Sequence, residues 1–564
     1  MECMTVLRKY WALAICVVLV VLRIALGCGM PLCVHAGALY DDAWAVDGAA
    51  SVAAGEWLGA YDDVTLIKNP GFIVYLALLT RLGIPYLLAT TLLNVAAALF
   101  LAEALRPLFK RDWTWLLLFA LLLFCPVGFA TDTFQRIYRN SVTAAQAMLI
   151  FGAYLGAYLR IKRAADAGDP LRACHMLPWM LVGAATLAWF WTSREDSIWV
   201  APFVGVATAV MVVLLLRRFG LARRASVACV AACILCLALP LAATAASSTA
   251  IKSINEKTYG LATTAEINSG NFARFIKDLY AIEPEVMPEN LHVACPHSSV
   301  EAAYDVSPTL ASIKDQVEER FYNWGDKYDN DPSDGEVNGG EFFWVFRLAG
   351  SKAGIYTNAT AADEFWGICA DEIEAAFAAG KLSQRATMPS SIMSPWRNEY
   401  ASMLLPAAAG IYAQSCSFVD VTCLPFEQQG SQNEIDLFCS VACGEGYQTG
   451  EDIPVACTIG EGAIWIYRIL GSALGIAGLV ALTLMAVQWL RKRENSAAFL
   501  ACGAIFLGVL VLIAGLAYTR VSSFTPISYY YYGSAAYPLL LAMNITAITV
   551  FAQARLAKET EAKE

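Results

Sequence analysis

The feature that most constrains this chain is a series of ten apolar stretches, most of them long enough to cross a membrane as helices. A spanning helix needs about 20 apolar residues, because the hydrocarbon core of a bilayer is about 30 Å thick. Hydrophobic residues occupy 58% of the 564 positions and charged residues only 16%, which argues against a soluble protein. The chain is therefore predicted to be a polytopic α-helical membrane protein. The predicted spans are 10–30, 86–105, 113–131, 140–159, 176–192, 198–216, 226–248, 462–490, 496–518 and 535–553.

Charge is distributed unevenly and predicts on which side of the membrane each loop lies. Residues 249–461 carry 31 acidic and 12 basic residues, whereas the remainder carries 18 acidic and 27 basic residues. Basic residues precede the first predicted span and follow every second one, and cytoplasmic loops are enriched in Lys and Arg. The protein is therefore predicted to lie in the cell membrane with both termini in the cytoplasm and with residues 249–461 outside.

This topology divides the chain into three regions. Residues 1–248 form an N-terminal membrane region, which includes a polar first outer loop at 31–85. Within that loop, 71–83 is apolar over too few residues to span, so it is predicted to be an interfacial helix. Helical periodicity in 249–461 predicts an inserted, mainly helical exocytoplasmic domain. Residues 462–564 form the C-terminal membrane region.

The chain contains 17 cysteines, and seven of them lie in the predicted external region. Because the space outside the membrane is oxidising, disulfide bonds are predicted there, with a pairing that the sequence does not define. Zinc is the alternative for Cys439 and Cys443, but their spacing, without a nearby histidine, matches zinc sites poorly.

Seven cations are predicted near the outer face, against the usual preference for the inner one. Arginine side chains bind phosphate with two parallel hydrogen bonds, so a set of them suggests a site for an anionic lipid headgroup. The alternative is that they extend towards lipid phosphates, as in many membrane proteins. The seven are Lys68, Arg81, Arg136, Arg139, Arg194, Arg468 and Arg520.

Two pairs of aspartates accompany these cations. A positioned carboxylate can take the proton of a hydroxyl nucleophile as the new bond forms, and a divalent cation is a possible helper. Asp41 and Asp42 would point about 100° apart on a helix, so one of them is expected to face the reacting centre. Asp62 and Asp63 are secondary candidates, with a turn or cap as the competing interpretation.

The order of these features resembles the GT-C superfamily of integral-membrane glycosyltransferases, which use polyprenyl-phosphate-linked sugars. The likeness is greatest to the protein O-mannosyltransferase and aminoarabinose lipid A transferase group. It is carried by the early "DD", "KNPGF" at 68–72, "LTRLG" at 79–83, "WFWTSREDSIW" at 189–199 and "YYYYGSAAYPLLLAM" at 529–543.

This resemblance implies roles for individual residues. Asp41 or Asp42 would be the catalytic base of the first outer loop, and Lys68 would contact the carrier phosphate. Arg194 and Glu195 correspond to a motif at the outer edge, and Tyr537 to an aromatic entry into a late span. The external segment 340–380 also resembles uncharacterised bacterial membrane proteins.

The expected function is the inverting transfer of a sugar from a polyprenyl-phosphate donor to an envelope acceptor. Membrane lipids are expected partners, whereas the acidic external region disfavours nucleic acid. The main alternative is a non-enzymatic binder or flippase of lipid-linked saccharides, although transporters usually place polar groups near mid-membrane. A membrane-anchored adhesion or sensing protein is a third possibility, but it would need far fewer spans.

Overall fold

A computed structural model describes residues 2–169, 173–220, 226–328, 335–385, 390–448, 450, 452–492, 495–523 and 529–561. Within these ranges the protein is helical and has no β-strand, only isolated β-bridges. The first helices are α1 (Glu2–Cys28), α2 (Trp44–Ala54), α3 (Gly71–Leu82), α4 (Tyr86–Leu105), α5 (Asp112–Leu123), α6 (Asn140–Ala167), α7 (Leu177–Trp191), α8 (Ala201–Leu215) and α9 (Val227–Tyr259). They are followed by α10 (Asn271–Ala281), α11 (His297–Val306), α12 (Pro308–Ala311), α13 (Lys314–Tyr328), α14 (Phe342–Lys352), α15 (Ala359–Ala378), α16 (Tyr400–Ser417) and α17 (Gln432–Ala442). The last are α18 (Val455–Lys492), α19 (Ser496–Ser522), α20 (Tyr529–Tyr532) and α21 (Ala536–Glu561).

The apolar helices establish a multi-pass membrane protein, but with fewer clear spans than the ten predicted. Eight helices in the described part of the chain are long and apolar enough to cross a membrane, and a bent pair raises this number to nine. The predicted spans 113–131 and 176–192 account for the difference.

Both differences have a local physical cause. α5 ends at Leu123, and the chain bends by 52° before a second helical segment begins at Pro126. Proline disfavours the helical conformation at the preceding residue, and Cys125 accordingly has an extended ψ of 124°. α7 contains only 15 residues, fewer than the roughly 20 that a perpendicular span needs.

The main helical bundle is organised around α6. Nearly every residue from Asn140 to Leu159 is buried, and α4, α7 and α8 pack against this helix. A helix that is buried on all sides occupies the centre of a bundle. α6 therefore separates two ends of the molecule. Asn140 lies at one end, and the basic residues near Arg160 lie at the other.

The inserted region begins and ends inside long helices. α9 continues through the predicted boundary at 249 to Tyr259, and α18 starts at Val455, before the predicted boundary at 461. α10 to α15 share a hydrophobic core that includes Phe275, Trp366 and Ile67, the last from the first loop. α16 packs instead against α18, α19 and α21 in the main bundle, which the sequence analysis did not predict.

The first loop folds into two helices with a core of their own. The predicted interfacial helix at 71–83 corresponds to α3, whose 12 residues are too few to span. Gly83, with a φ of 62°, ends it in the left-handed conformation that glycine adopts without steric cost. α2 packs on α3, and Phe438 of α17 joins the same core. The loop thus packs against the inserted region.

The predicted disulfide bonds find no support among the cysteines that the structure describes. The 16 cysteines whose side chains the structure describes are free, and Cys295 and Cys369 are buried in the core of the inserted region. Cys439 and Cys443 lie on one helical turn, where Cys443 ends α17, and they form no bond either. The cysteines of the inserted region are mostly used as small buried side chains, which is a common role for free cysteine.

Candidate functional site

The "DD" pair lies on a single wide helical turn, Leu39–Ala43, immediately before α2. Asp42 is fully buried, and its two carboxylate oxygens accept hydrogen bonds from Arg136 at 2.9 and 2.5 Å. Asp41 points in another direction and keeps 33% of its side chain exposed. The two neighbours therefore have different environments, as the angular separation on a helix predicted.

Asp41 is held by one cation and one hydroxyl group. The Lys68 ammonium lies 2.5 Å from Oδ1 of Asp41, and the Tyr138 hydroxyl donates to the same oxygen at 3.1 Å. This leaves Oδ2 of Asp41 without a hydrogen bond within the described structure. A carboxylate with one free oxygen and partial exposure can accept a proton from an incoming hydroxyl group.

Lys68 is almost completely enclosed. Its ammonium also donates to the Tyr40 carbonyl at 2.7 Å and lies 5.9 Å from the ring centre of Trp44 and 5.5 Å from that of Trp344. Trp344 belongs to α14 of the inserted region and stacks on Tyr40, with ring centres 4.4 Å apart. One wall of the site is therefore contributed by the inserted region.

A second ion pair lies beside the first. Arg139 forms a salt bridge with Glu195, and its Nε donates to the Tyr138 hydroxyl at 3.3 Å. The other oxygen of Glu195 accepts from the backbone N–H of Asn69 at 2.7 Å, directly after Lys68. Tyr138 thus contacts both ion pairs, so Asp41 and Glu195 belong to one polar cluster.

Arg194 lies next to this cluster in a bidentate pair with Asp196, with N–O distances of 2.7 and 2.6 Å. It also hydrogen-bonds the Asn140 side chain at the start of α6. A cavity of about 210 Å³ opens beside Arg194, Glu195 and Asn69. Polar groups border the cavity, so it is suited to a hydroxyl-rich ligand.

Tyrosines from the segment before α21 close the other side. Tyr531 stacks on Tyr138, with ring centres 5.1 Å apart, and Arg136 lies 5.3 Å from the Tyr531 ring centre. The Tyr530 hydroxyl donates to Asp132, which also lies 3.6 Å from Arg136. The "YYYY" segment therefore forms part of the cluster wall.

The two aspartates have opposite pKa shifts. Burial favours a raised pKa for Asp41, but the nearby Lys68, Arg139 and Arg136 outweigh it and hold this pKa at about 2. Burial raises the pKa of Asp42 to about 6, because the hydrogen bonds and charge of Arg136 only partly offset it. Burial also lowers the pKa of Lys68, with Asp41 opposing the shift. Asp41 is therefore the more firmly ionised of the pair.

Three predicted site residues lie elsewhere. Arg81 is exposed and donates to the Ala53 carbonyl at the end of α2. Arg520 lies near the end of α19, where its carbonyl is 3.2 Å from a ring nitrogen of His292. Tyr537 is buried against Phe418 in the main bundle.

The secondary pair, Asp62 and Asp63, has structural contacts. The Asp62 carboxylate accepts from the backbone N–H of Thr65 at 2.8 Å and from its hydroxyl at 2.6 Å, closing a turn. The Asp63 carbonyl accepts from Arg347 at 2.8 Å, and its carboxylate accepts from Ser351 at 3.1 Å. These contacts agree with the turn interpretation and attach the loop to α14.

Several residues that shape the cluster are not among the predicted site residues. Its charged members are in contact with Trp44, Asp132, Tyr138 and Trp344. Tyr138 lies between two selected arginines, so its position in "RIYRN" was an available signal. Trp344 lies 276 positions after Lys68, and no local pattern indicates their contact.

The residues that the structure describes contain no group of three or more His, Cys, Asp or Glu side chains placed to hold a metal ion. Comparisons with protein-family models, curated proteins and solved structures give no match.

Proposed function

We propose that the protein transfers a sugar from a polyprenyl-phosphate donor to an envelope acceptor, with inversion, and that Asp41 is the catalytic base. The observation that carries this proposal is the contrast between the two aspartates. Asp42 is fully buried and bound by Arg136 through both oxygens, whereas Asp41 is one-third exposed and has an oxygen available. Only the latter arrangement suits proton transfer from a substrate.

The proposed reaction is a single displacement. The acceptor hydroxyl gives its proton to Asp41 as its oxygen bonds to the anomeric carbon of the sugar. The bond from that carbon to the phosphate oxygen breaks, and its electron pair leaves with the carrier phosphate. Lys68, Arg136 and Arg139 offset the charge that develops there, as preorganised donors do in enzyme sites. The low pKa of Asp41 keeps its carboxylate ionised at neutral pH, the state that can accept a proton, but it also makes the carboxylate a weak base.

The arrangement of the helix ends supports the proposed orientation. The basic segments around Arg106 and Arg163 line one cavity at one end of the bundle, whereas the Asp41 cluster lies at the other. Because basic segments mark the cytoplasmic side, the Asp41 cluster and residues 249–461 are proposed to be exocytoplasmic. Trp344 beside Lys68 supports a role for the inserted region in holding the acceptor.

The test compares matched aspartate substitutions in membranes at equal expression. Radiolabelled polyprenyl-phosphate sugars would be added to membranes that carry wild type, Asp41→Asn, Asp42→Asn or Asp47→Asn. The label transferred to envelope material would then be counted. Asp47 is the control, since it is exposed on α2 of the same loop.

We expect Asp41→Asn to reduce transfer by about 100-fold or more, the scale of general base catalysis. Asp47→Asn should retain wild-type transfer. Asp42→Asn should lower the stability of the protein, because Asp42 is buried against Arg136. Full transfer by Asp41→Asn would contradict the assignment of the base. Absence of transfer from every donor, with carrier lipid still bound, would favour the non-enzymatic binder or flippase.

A further inference from the structure

A cavity with charged walls lies at the opposite end of the molecule from the Asp41 cluster. It has a volume of about 850 Å³ and opens between the ends of α4 and α6, the start of α5 and Ala497 of α19. Asn140 and Arg160 are 20 residues apart on α6, so about 30 Å of helix separates the two sites at 1.5 Å per residue. The cavity is therefore independent of the proposed reaction.

The walls of this cavity carry a surplus of positive charge. Six basic and three acidic side chains line it. The acidic ones are already paired: Glu103 and Asp112 with Arg106 at 3.3 and 3.4 Å, and Asp166 with Lys162. Glu103 also lies 3.5 Å from Arg160. The remaining cations are Lys110, Arg111 and Arg163, whose side chains have no ion pair within the described ranges.

Aromatic rings hold two of the arginines in place. The Arg160 guanidinium lies 4.0 Å from the ring centre of Trp179, and that of Arg106 lies 4.8 Å from the ring centre of Trp115. Stacking of this kind fixes the planar donor group that binds phosphate. The cavity thus combines two positioned guanidinium groups with three unpaired cations.

An apolar surface continues from the cavity along α5. Trp113 follows the cavity residue Asp112, and Leu117 lies one turn further on the same face. Their side chains are 51% and 41% exposed. A ligand with a phosphate group in the cavity and an acyl chain along this face would satisfy both surfaces.

We propose that this cavity binds the phosphate headgroup of an anionic membrane lipid. Basic pockets between the cytoplasmic ends of spanning helices are suited to such headgroups. Free phosphate compounds share the headgroup chemistry, but they would leave the exposed Trp113 and Leu117 face uncovered.

The test uses the full-length protein in nanodiscs, with binding measured as retention of labelled lipid after exchange. The lipids are phosphatidylglycerol, with phosphatidylcholine as the neutral comparison, and a separate arm adds inorganic phosphate as a soluble competitor. The variant is Lys110→Gln/Arg163→Gln. Its control is Arg217→Gln/Arg218→Gln, which removes the same charge from exposed positions at the far end of α8 and outside the cavity.

We expect wild type and the control to prefer phosphatidylglycerol over phosphatidylcholine. In the cavity variant this preference should be roughly tenfold smaller. In nanodiscs of phosphatidylcholine alone, the thermal unfolding temperature should be the same for the variant and its control. Equal loss in both variants would mean that only the general positive field attracts lipid, and it would overturn the proposal. If millimolar phosphate displaced the lipid completely, the cavity would bind free phosphate, and the proposal of a lipid ligand would be overturned.

Discussion

At the residue scale, Asp42 and Arg136 show how a buried charge is tolerated beside the proposed catalytic base. The carboxylate is removed from water but receives two hydrogen bonds from the guanidinium group. Loss of one member of a buried pair typically costs about 3–5 kcal/mol, because the other charge stays buried without a partner. The pair therefore fixes the turn that presents Asp41.

This pair gives a prediction with a defined pH dependence. In Arg136→Met, the pKa of Asp42 should rise beyond its already raised value of about 6. A folded-state pKa above the unfolded one contributes stability that is present at low pH and is lost as pH rises through the folded value. The variant should therefore be destabilised by about 3–5 kcal/mol at pH 8 and by less at pH 5.

Thermal unfolding at the two pH values measures this difference. Arg81→Met is the control, since Arg81 is exposed at the end of α3, and it should change stability little at either pH. A loss for Arg136→Met that is independent of pH would show that Asp42 does not titrate as described.

At the element scale, close packing of α6 and α7 positions the Arg194 segment that follows α7. Gly156 of α6 lies against Trp179, and a β-carbon at Gly156 would come within 2.2 Å of that ring. Small residues at such crossings allow helices in a membrane to approach closely.

Gly156→Val should therefore lower thermal stability and shift Trp179, whose ring stacks on Arg160. Gly205→Val is the matched control on α8, because a β-carbon there meets nothing within 4 Å. Size-exclusion profiles of the heated, detergent-solubilised protein compare the two. Equal stability of both variants would contradict the described α6–α7 crossing.

The sequence predicts those spanning helices whose apolar runs are long enough to cross a membrane. α4, α6 and α19 were predicted because their apolar runs are long and uninterrupted. The bend after α5 depends on a single proline and its neighbours, and α16 packs into the main bundle through contacts that a hydropathy pattern does not contain.

The charged cluster was predictable to a similar degree. The sequence has few charges at the predicted outer ends of the spans, and such charges are expected to lie near one plane. On this basis the prediction included Asp41, Lys68, Arg136, Arg139 and Glu195, which the structure brings together. Arg81 has the same signature but lies on the exposed end of α3, where only the three-dimensional packing distinguishes it.

At the scale of the whole molecule, a buried ion pair inside the inserted region is hydrogen-bonded to the first loop through both of its members. Arg347 of α14 pairs with Glu266 at 2.7 Å and donates to the Asp63 carbonyl at 2.8 Å, while the Tyr61 hydroxyl donates to Glu266. This connection holds Trp344, three residues before Arg347, beside Lys68.

Arg347→Met should break the contact with Asp63 and leave the buried Glu266 carboxylate without its cation, at a cost of about 3–5 kcal/mol. Arg274→Met, in an exposed ion pair of the same region, should cost at most about 1 kcal/mol. Hydrogen exchange of the backbone around residues 61–68 measures the release of the loop. Unchanged exchange in Arg347→Met would show that the contacts of Arg347 and Glu266 with Asp63 and Tyr61 do not hold the loop in place.

The burial of the first 20 residues of α6 has a consequence for the membrane in which the protein works. Bilayers differ in thickness, and exposed helices adapt by tilting or by thinning the lipid around them. α6 has few lipid-facing side chains over its first 20 residues, so these forces reach it only through its neighbours. The distance between the polar cluster at one end and the basic cavity at the other should stay constant when the host changes its lipid composition.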